Sequence, residues 1–108
     1  MSESQTITEE RLPNIHPGEI LKEEFLDPMN ISLSDLSQQI NVSETILENI
    51  VKGKKSVNAD IAIRFSRFFG TTPEFWLNLQ NQYDIEEEEH IHAEDFNVIQ
   101  RYYYEYIS

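Results

Sequence analysis

A chain of 108 residues with 39% hydrophobic and 11% aromatic side chains is long enough for one core but not two, and too apolar to be disordered throughout. The absence of cysteine excludes both a disulfide framework and a thiolate metal site. The formal charge of −12 argues against nucleic acid only if it is evenly spread, because neutralised phosphates supply most non-specific affinity; residues 1–30 carry seven acids against two bases, residues 31–72 four against five, and residues 73–108 nine against one.

The opening "MSESQTITEER" is polar, and the first thirty residues hold no continuous apolar run. The expectation is a cytoplasmic protein with neither a signal peptide nor a membrane span. In "IHPGEILKEEFLDP", Pro17 suits a first helical turn, Ile20, Leu21 and Phe25 recur at helical spacing, and Pro28 lies just past the stop, so a short amphipathic helix should end near Leu26. His16, just before that helix, reads as a capping or packing residue rather than a catalyst.

Ser32 is placed to cap a second helix, with Asp35 as a weak reciprocal cap and Leu33, Leu36 and Ile40 on one stripe. Asn41 tolerates the left-handed backbone of a tight turn, Val42 plugs the core, and Ser43 caps a third helix from about Glu44 to Val51. Its apolar stripe is Ile46, Leu47, Ile50 and Val51, leaving Glu44, Thr45, Glu48, Asn49 and Lys52 on the other face, with Gly53 as the stop.

After the basic turn "KGKKS", Asn58 caps "ADIAIRFSRFFG", whose core candidates are Ile61, Phe65 and either Phe68 or Phe69, with Gly70 as the stop. Thr72 and Pro73 open a fifth helix with Phe75, Trp76, Leu79 and Tyr83 on one face. "IEEEEHIHAED" reads as a solvated linker or a loose helix end. "FNVIQRYYYEYIS" is ambiguous between an amphipathic helix using Phe96, Ile99, Tyr103 and Tyr106 and an aromatic strand, with helix preferred. The expected fold is all-α: five short helices, then a C-terminal segment that is helical if that preference holds.

Two short helices joined by a tight turn, the second exposing a polar face beside bases, are what a major-groove reader requires. An ordinary α-hairpin in a bundle has the same pattern, and the residues alone leave both open. Lys52, Lys54 and Lys55, with Ser56, lie where a docked duplex would present phosphates, though three loop lysines also serve solubility. Phe75, Trp76, Leu79 and Tyr83 are core candidates first and subunit or partner interface candidates second. His90 and His92 lack the spacing of a metal site, and no nucleophile–base pair, acid dyad or phosphate loop can be assembled. No catalytic residue, metal or cofactor is expected.

"IHPGEILKEEFLDPMNIS", "LSQQINVS" and "IVKGKKSVNADIAIRFSRFFGTTPEFWLNLQNQYDI" resemble the HigA/VapI antitoxins of the Xre-type helix-turn-helix family. "HPGEIL", "GTTPEFWLNLQ" and the "YD" ending carry the resemblance, which spans residues 14–85. It sets apart a polar tail, residues 1–13, and an acidic, aromatic extension, residues 86–108. It implies a five-helix, lambda-repressor-like domain, a homodimer, and an antitoxin that silences a HigB toxin, a RelE-like ribonuclease, and represses its own operon on double-stranded operator DNA. The acidic segments would complement a basic, RNA-binding toxin.

By the same resemblance, Ser43, Glu44, Thr45, Leu47 and Glu48 should face bases, and Ser32, Lys54 and Lys55 phosphates. The chain departs from the pattern where relatives carry a base near Glu44 and Ile46, Gln near Leu33, Ala at Ser37 and Gly at Asn41. Ser37 and Asn41 are compatible substitutes. Glu44 and Glu48 add negative charge where a duplex would lie, which serves specificity if a carboxylate accepts from cytosine N4. The alternative is a protein-interaction module that has lost sequence-specific DNA binding and only silences its partner enzyme.

Overall fold

The computed structural model describes residues 13–102, and among them every regular element is a helix. Pro17–Ile20, Leu21–Leu26 and Asp27–Met29 run on without interruption as one helix, α1. Next come α2 (Leu33–Ile40), α3 (Glu44–Val51), α4 (Ala59–Phe69), α5 (Pro73–Ile91) and α6 (Ala93–Asn97).

Helix α1 does not stop near Leu26 as Pro28 suggests; it continues through the proline to Met29. The middle segment, Leu21–Leu26, is π-helical, and the Asp27 N–H donates to the carbonyl of Lys22, five residues back. In an α-helix the proline ring would meet the carbonyl four residues earlier. The wider turn just before it relieves that clash. The helix ends instead at Asn30, in the left-handed region at φ 56°, with the Ile31 N–H returning to the Leu26 carbonyl at 2.9 Å.

The next three caps fall where the sequence places them. Ser32 Oγ accepts from the Asp35 N–H at 3.0 Å, Ser43 Oγ from the Ile46 N–H at 3.2 Å, and Asn58 Oδ1 from the Ile61 N–H at 2.9 Å. Between α2 and α3, Asn41 is left-handed at φ 58°. There Ser37 Oγ donates to the Val42 carbonyl at 2.6 Å, so the hydroxyl ties the turn shut. Val42 is buried, as a plug should be.

The core is assembled from one face of each of α1 to α5: Leu21 and Leu26, Leu36 and Ile40, Leu47 and Ile50, Ile61, Ala62 and Phe65, and Trp76. Trp76 is fully buried at its centre, with ring centroids 4.9 Å from Phe65, 5.0 Å from Phe75 and 5.1 Å from Phe25, and Nε1 donating to Thr71 Oγ1 at 2.8 Å. Of the two alternatives on α4, Phe69 packs against the core while Phe68 is exposed.

The acidic run is neither linker nor frayed end: α5 carries straight through it to Ile91. Buried residues occur only in its first half, Trp76 and Gln80; beyond the half-buried Tyr83 and Glu87 the helix is exposed through Ile91. Beyond it α6 stops at Asn97, so Phe96 is helical while Ile99 lies past the end, and Tyr103 and Tyr106 lie outside the described residues.

Candidate nucleic-acid interface

Helix α3 is built to hold one face inward and offer the other. Leu47 and Ile50 are fully buried, and Ile46 and Val51 pack partly against the core. Ser43, Glu44, Thr45 and Glu48 are exposed on the opposite side. Eight residues make a rod about 12 Å long, matched to the width of a B-DNA major groove.

Leu47 corrects one expectation. A side chain with no exposed surface cannot meet a base edge. Its place on the apolar stripe decides the matter, because two positions past the exposed Thr45 the helix has turned about 200°, into the core.

The two glutamates differ. Glu48 Oε2 lies 3.3 Å from Lys52 Nζ, one turn along, with both side chains about half exposed. That ion pair offsets part of the charge of Glu48 and engages Lys52, in a contact that solvent screens. Glu44 makes no ion pair among the described residues, and sits in the first turn of α3, where a carboxylate favours the helix dipole.

The lysine turn is held by its backbone. The N–H groups of Lys54 and Lys55 both donate to the Asn49 carbonyl, at 2.8 and 3.2 Å, and Gly53 takes the left-handed conformation at φ 76° that the reversal requires. The ammonium groups of Lys54 and Lys55 stand in no ion pair with a described residue, so both are available to an anion. Ser32, exposed at the start of α2, lies on the helix paired with α3.

Three residues that position this surface escape a sequence reading. Arg64 Nη1 donates to the carbonyls of Ile40 and Asn41, at 2.8 and 3.3 Å, latching the inter-helix turn to α4. Gln80, buried on α5, accepts the Val57 N–H at 2.8 Å and donates to Asp84 Oδ1 at 2.9 Å, anchoring the far end of the lysine turn. Gly18 lies so close to α3 that a Cβ built there would stand 1.8 Å from the Ile50 carbonyl oxygen. Periodicity marks none of them, because it reports apolar residues and these act through polar atoms or through the lack of a side chain.

His16 does cap and pack. Its Nδ1 accepts the Gly18 N–H at 2.9 Å, and its ring meets Tyr83 edge-on with centroids 4.8 Å apart. Burial pushes its pKa below the ordinary 6.5, against an opposing pull from Asp84 and Glu19.

The aromatic interface candidates separate. Trp76 is core and contributes no surface, enclosed by Phe25, Phe65, Phe69 and Phe75 with Thr71 at its Nε1. Phe75 is exposed on the outer edge of that cluster, and Leu79 and Tyr83 are half-buried. His92 Nδ1 faces Glu88 Oε1 at 2.8 Å, an ordinary contact one turn apart on an exposed helix. Among the described residues no cluster of three or more His, Asp or Glu could hold a metal, and no helix is long and apolar enough to cross a membrane.

A helix-turn-helix family model matches residues 21–76, which run from the π-helical turn of α1 to Trp76. Virulence-associated protein I of Dichelobacter nodosus is 43% identical over 74 residues, covering 68% of each chain. The solved structure of Pseudomonas aeruginosa antitoxin HigA with the higBA promoter superposes at a TM-score of 0.80 and 35% identity, over 84% of this chain and 100% of that one. Antitoxin GraA in complex with its operator does so at 0.80 and 38% identity, over 88% and 97%. With its capped α2–turn–α3 unit inside the matched residues, the chain belongs to the helix-turn-helix family, in the group that holds the VapI proteins and the HigA antitoxins.

Proposed function

We propose that this protein is the antitoxin of a type II toxin–antitoxin module, a non-enzymatic dimer that represses its own operon and silences a RelE-like ribonuclease by direct binding. One observation carries the DNA half: α3 offers Ser43, Glu44, Thr45 and Glu48 on a single exposed face, and the turn beyond it carries Lys54 and Lys55, in no ion pair with a described residue. Two relatives with this fold have been solved on a promoter or an operator.

In this reading the lysine turn and Ser32 hold phosphates and set the register, and the entry of α3 reads base edges. Glu48, tied to Lys52, costs less repulsion, so the specificity question narrows to Glu44 and Thr45. A homodimer places two such helices in successive major grooves about 34 Å apart. The test is a gel shift with the DNA upstream of the protein's own gene across a salt series, alongside a mass measurement in solution. A dimeric protein with no sequence preference at low salt would remove the repressor.

A second reading is favoured by the far half of α5 and the residues beyond it. Ile85, Ile91, Phe96, Val98 and Ile99 are all exposed, on a segment crowded with Glu and Asp. Such a surface suits a basic partner with an apolar centre. A protein that holds the toxin there and fails the gel shift would be a pure interaction module.

A further inference from the structure

The turn that opens α1 lies under the DNA-facing surface, and its contacts converge on one place. Gly18 sits against the main chain at the end of α3: an added Cβ would stand 1.8 Å from the Ile50 oxygen, 2.7 Å from its carbonyl carbon and 2.9 Å from Val51 Cα. Main chain cannot swing aside as a flexible side chain does. That same Ile50 oxygen accepts the Gly53 N–H at 3.0 Å, the first bond of the lysine turn. On the other side of the turn, a Cβ added at Gly53 would meet His16 Cγ at 3.7 Å, an ordinary contact, so the imidazole borders the lysine turn about one methyl group away from Gly53.

The imidazole is itself fixed from two directions. Its Nδ1 takes the Gly18 N–H, and its ring leans on Tyr83 of α5. Asn14 extends the brace, donating from Nδ2 to the Tyr83 carbonyl at 2.9 Å and to Glu87 Oε2 at 3.0 Å. The contacts of this brace with α3 fall at its end, on Ile50 and Val51, beside the lysine turn.

We propose that His16 and Gly18 are positioning residues for DNA docking: together they set the height of the end of α3 and of the turn carrying Lys54 and Lys55, so that lysines and recognition face engage one duplex in a fixed register. The inference rests on the repressor reading. Displacing the Ile50 main chain moves both lysines relative to Glu44 and Thr45.

The experiment measures operator affinity by fluorescence anisotropy across a salt series for the full chain and for Gly18→Ala, His16→Asn, Lys54→Ala/Lys55→Ala, and the triple combination of His16→Asn with both lysine changes. His16→Asn keeps a capping oxygen and removes the ring that borders the lysine turn and leans on Tyr83, so it serves if Gly18→Ala does not fold. Ile61→Val, a core change on α4, reports what mild destabilisation does by itself. The expected result is a loss of about tenfold in operator affinity for His16→Asn with a salt slope shallower by one to two phosphate contacts, little change for Ile61→Val, and almost no further effect of His16→Asn once the lysines are gone.

Unchanged affinity and slope in folded His16→Asn would overturn the proposal. So would a His16→Asn loss that simply adds to that of the lysine changes. A full chain without sequence preference would remove the repressor reading, and the proposal with it, before any variant is compared.

Discussion

Glu44 and Glu48 stand one turn apart on the same exposed face and differ in consequence. Lys52 offsets part of the charge of Glu48, while Glu44 keeps a charge with no ionic partner among the described residues. Glu44→Arg should therefore raise non-specific DNA affinity and steepen its salt dependence by about one contact. Binding and slope equal to the parent would mean that position 44 does not face the duplex. His16 supplies a second residue-scale prediction. Burial lowers its folded pKa, so the unfolded chain takes up the proton first. The contribution of neutral His16 is present in full above pH 6.5 and is lost as the pH falls from there through the lower folded value. A further reason for the direction is that protonating Nδ1 breaks the bond from the Gly18 N–H. Urea midpoints at pH 7.5 and pH 5.5, a window above most carboxylate titration, should fall on acidification in the parent. The fall should shrink in His16→Asn; an equal fall in both would place the effect elsewhere.

At the scale of elements, the sequence reading succeeds where a local rule decides and fails where geometry intervenes. The bounds of α3 are legible because Ser43 and Gly53 punctuate it and a 3.6-residue stripe fills the interval. The end of α1 is not, since the rule that proline stops a helix assumes an α-turn before it, and the chain inserts a π-turn. The far half of α5 shows no apolar stripe at all, so only the continuous helix in space reveals it. Trp76 shows the limit of pattern: a stripe says which residues share a face but not how deep they sit. Its burial predicts that Trp76→Ala costs about 3–5 kcal/mol in urea unfolding, a large part of the roughly 5–15 kcal/mol available to a domain. A cost under about 1 kcal/mol with weakened self-association would return Trp76 to the interface.

For the molecule as a whole, the net charge of −12 is compatible with DNA because the acids lie at its two ends and the bases gather in the middle. The truncation that removes residues 86–108 tests the role of the acidic end. Its cut falls in α5 beyond the Trp76 and Gln80 anchors and removes Glu87 but spares Tyr83, whose carbonyl still accepts from Asn14, so the helical domain should remain folded and most of its DNA binding should be kept. Affinity for the toxin should drop by about tenfold or more, as when several desolvated apolar side chains leave an interface. Titration calorimetry with the proposed toxin partner reads the change, and an unchanged affinity would assign its contact to residues 1–85 instead.

Caps, turns, stops and the apolar stripe are local properties, set by a few neighbouring residues and the backbone bonds they satisfy. The sequence by itself therefore determined the all-α class, the α2–turn–α3 unit and the face of α3 that carries Glu44, Thr45 and Glu48. Contacts between residues far apart in the chain depend on how the helices pack. Packing alone decides that Trp76 is withdrawn from the surface, that Arg64 and Gln80 clasp the two turns beside α3, and that Gly18 meets Ile50 main chain to main chain. Burial and close approach are properties of that packing, and no residue carries them alone.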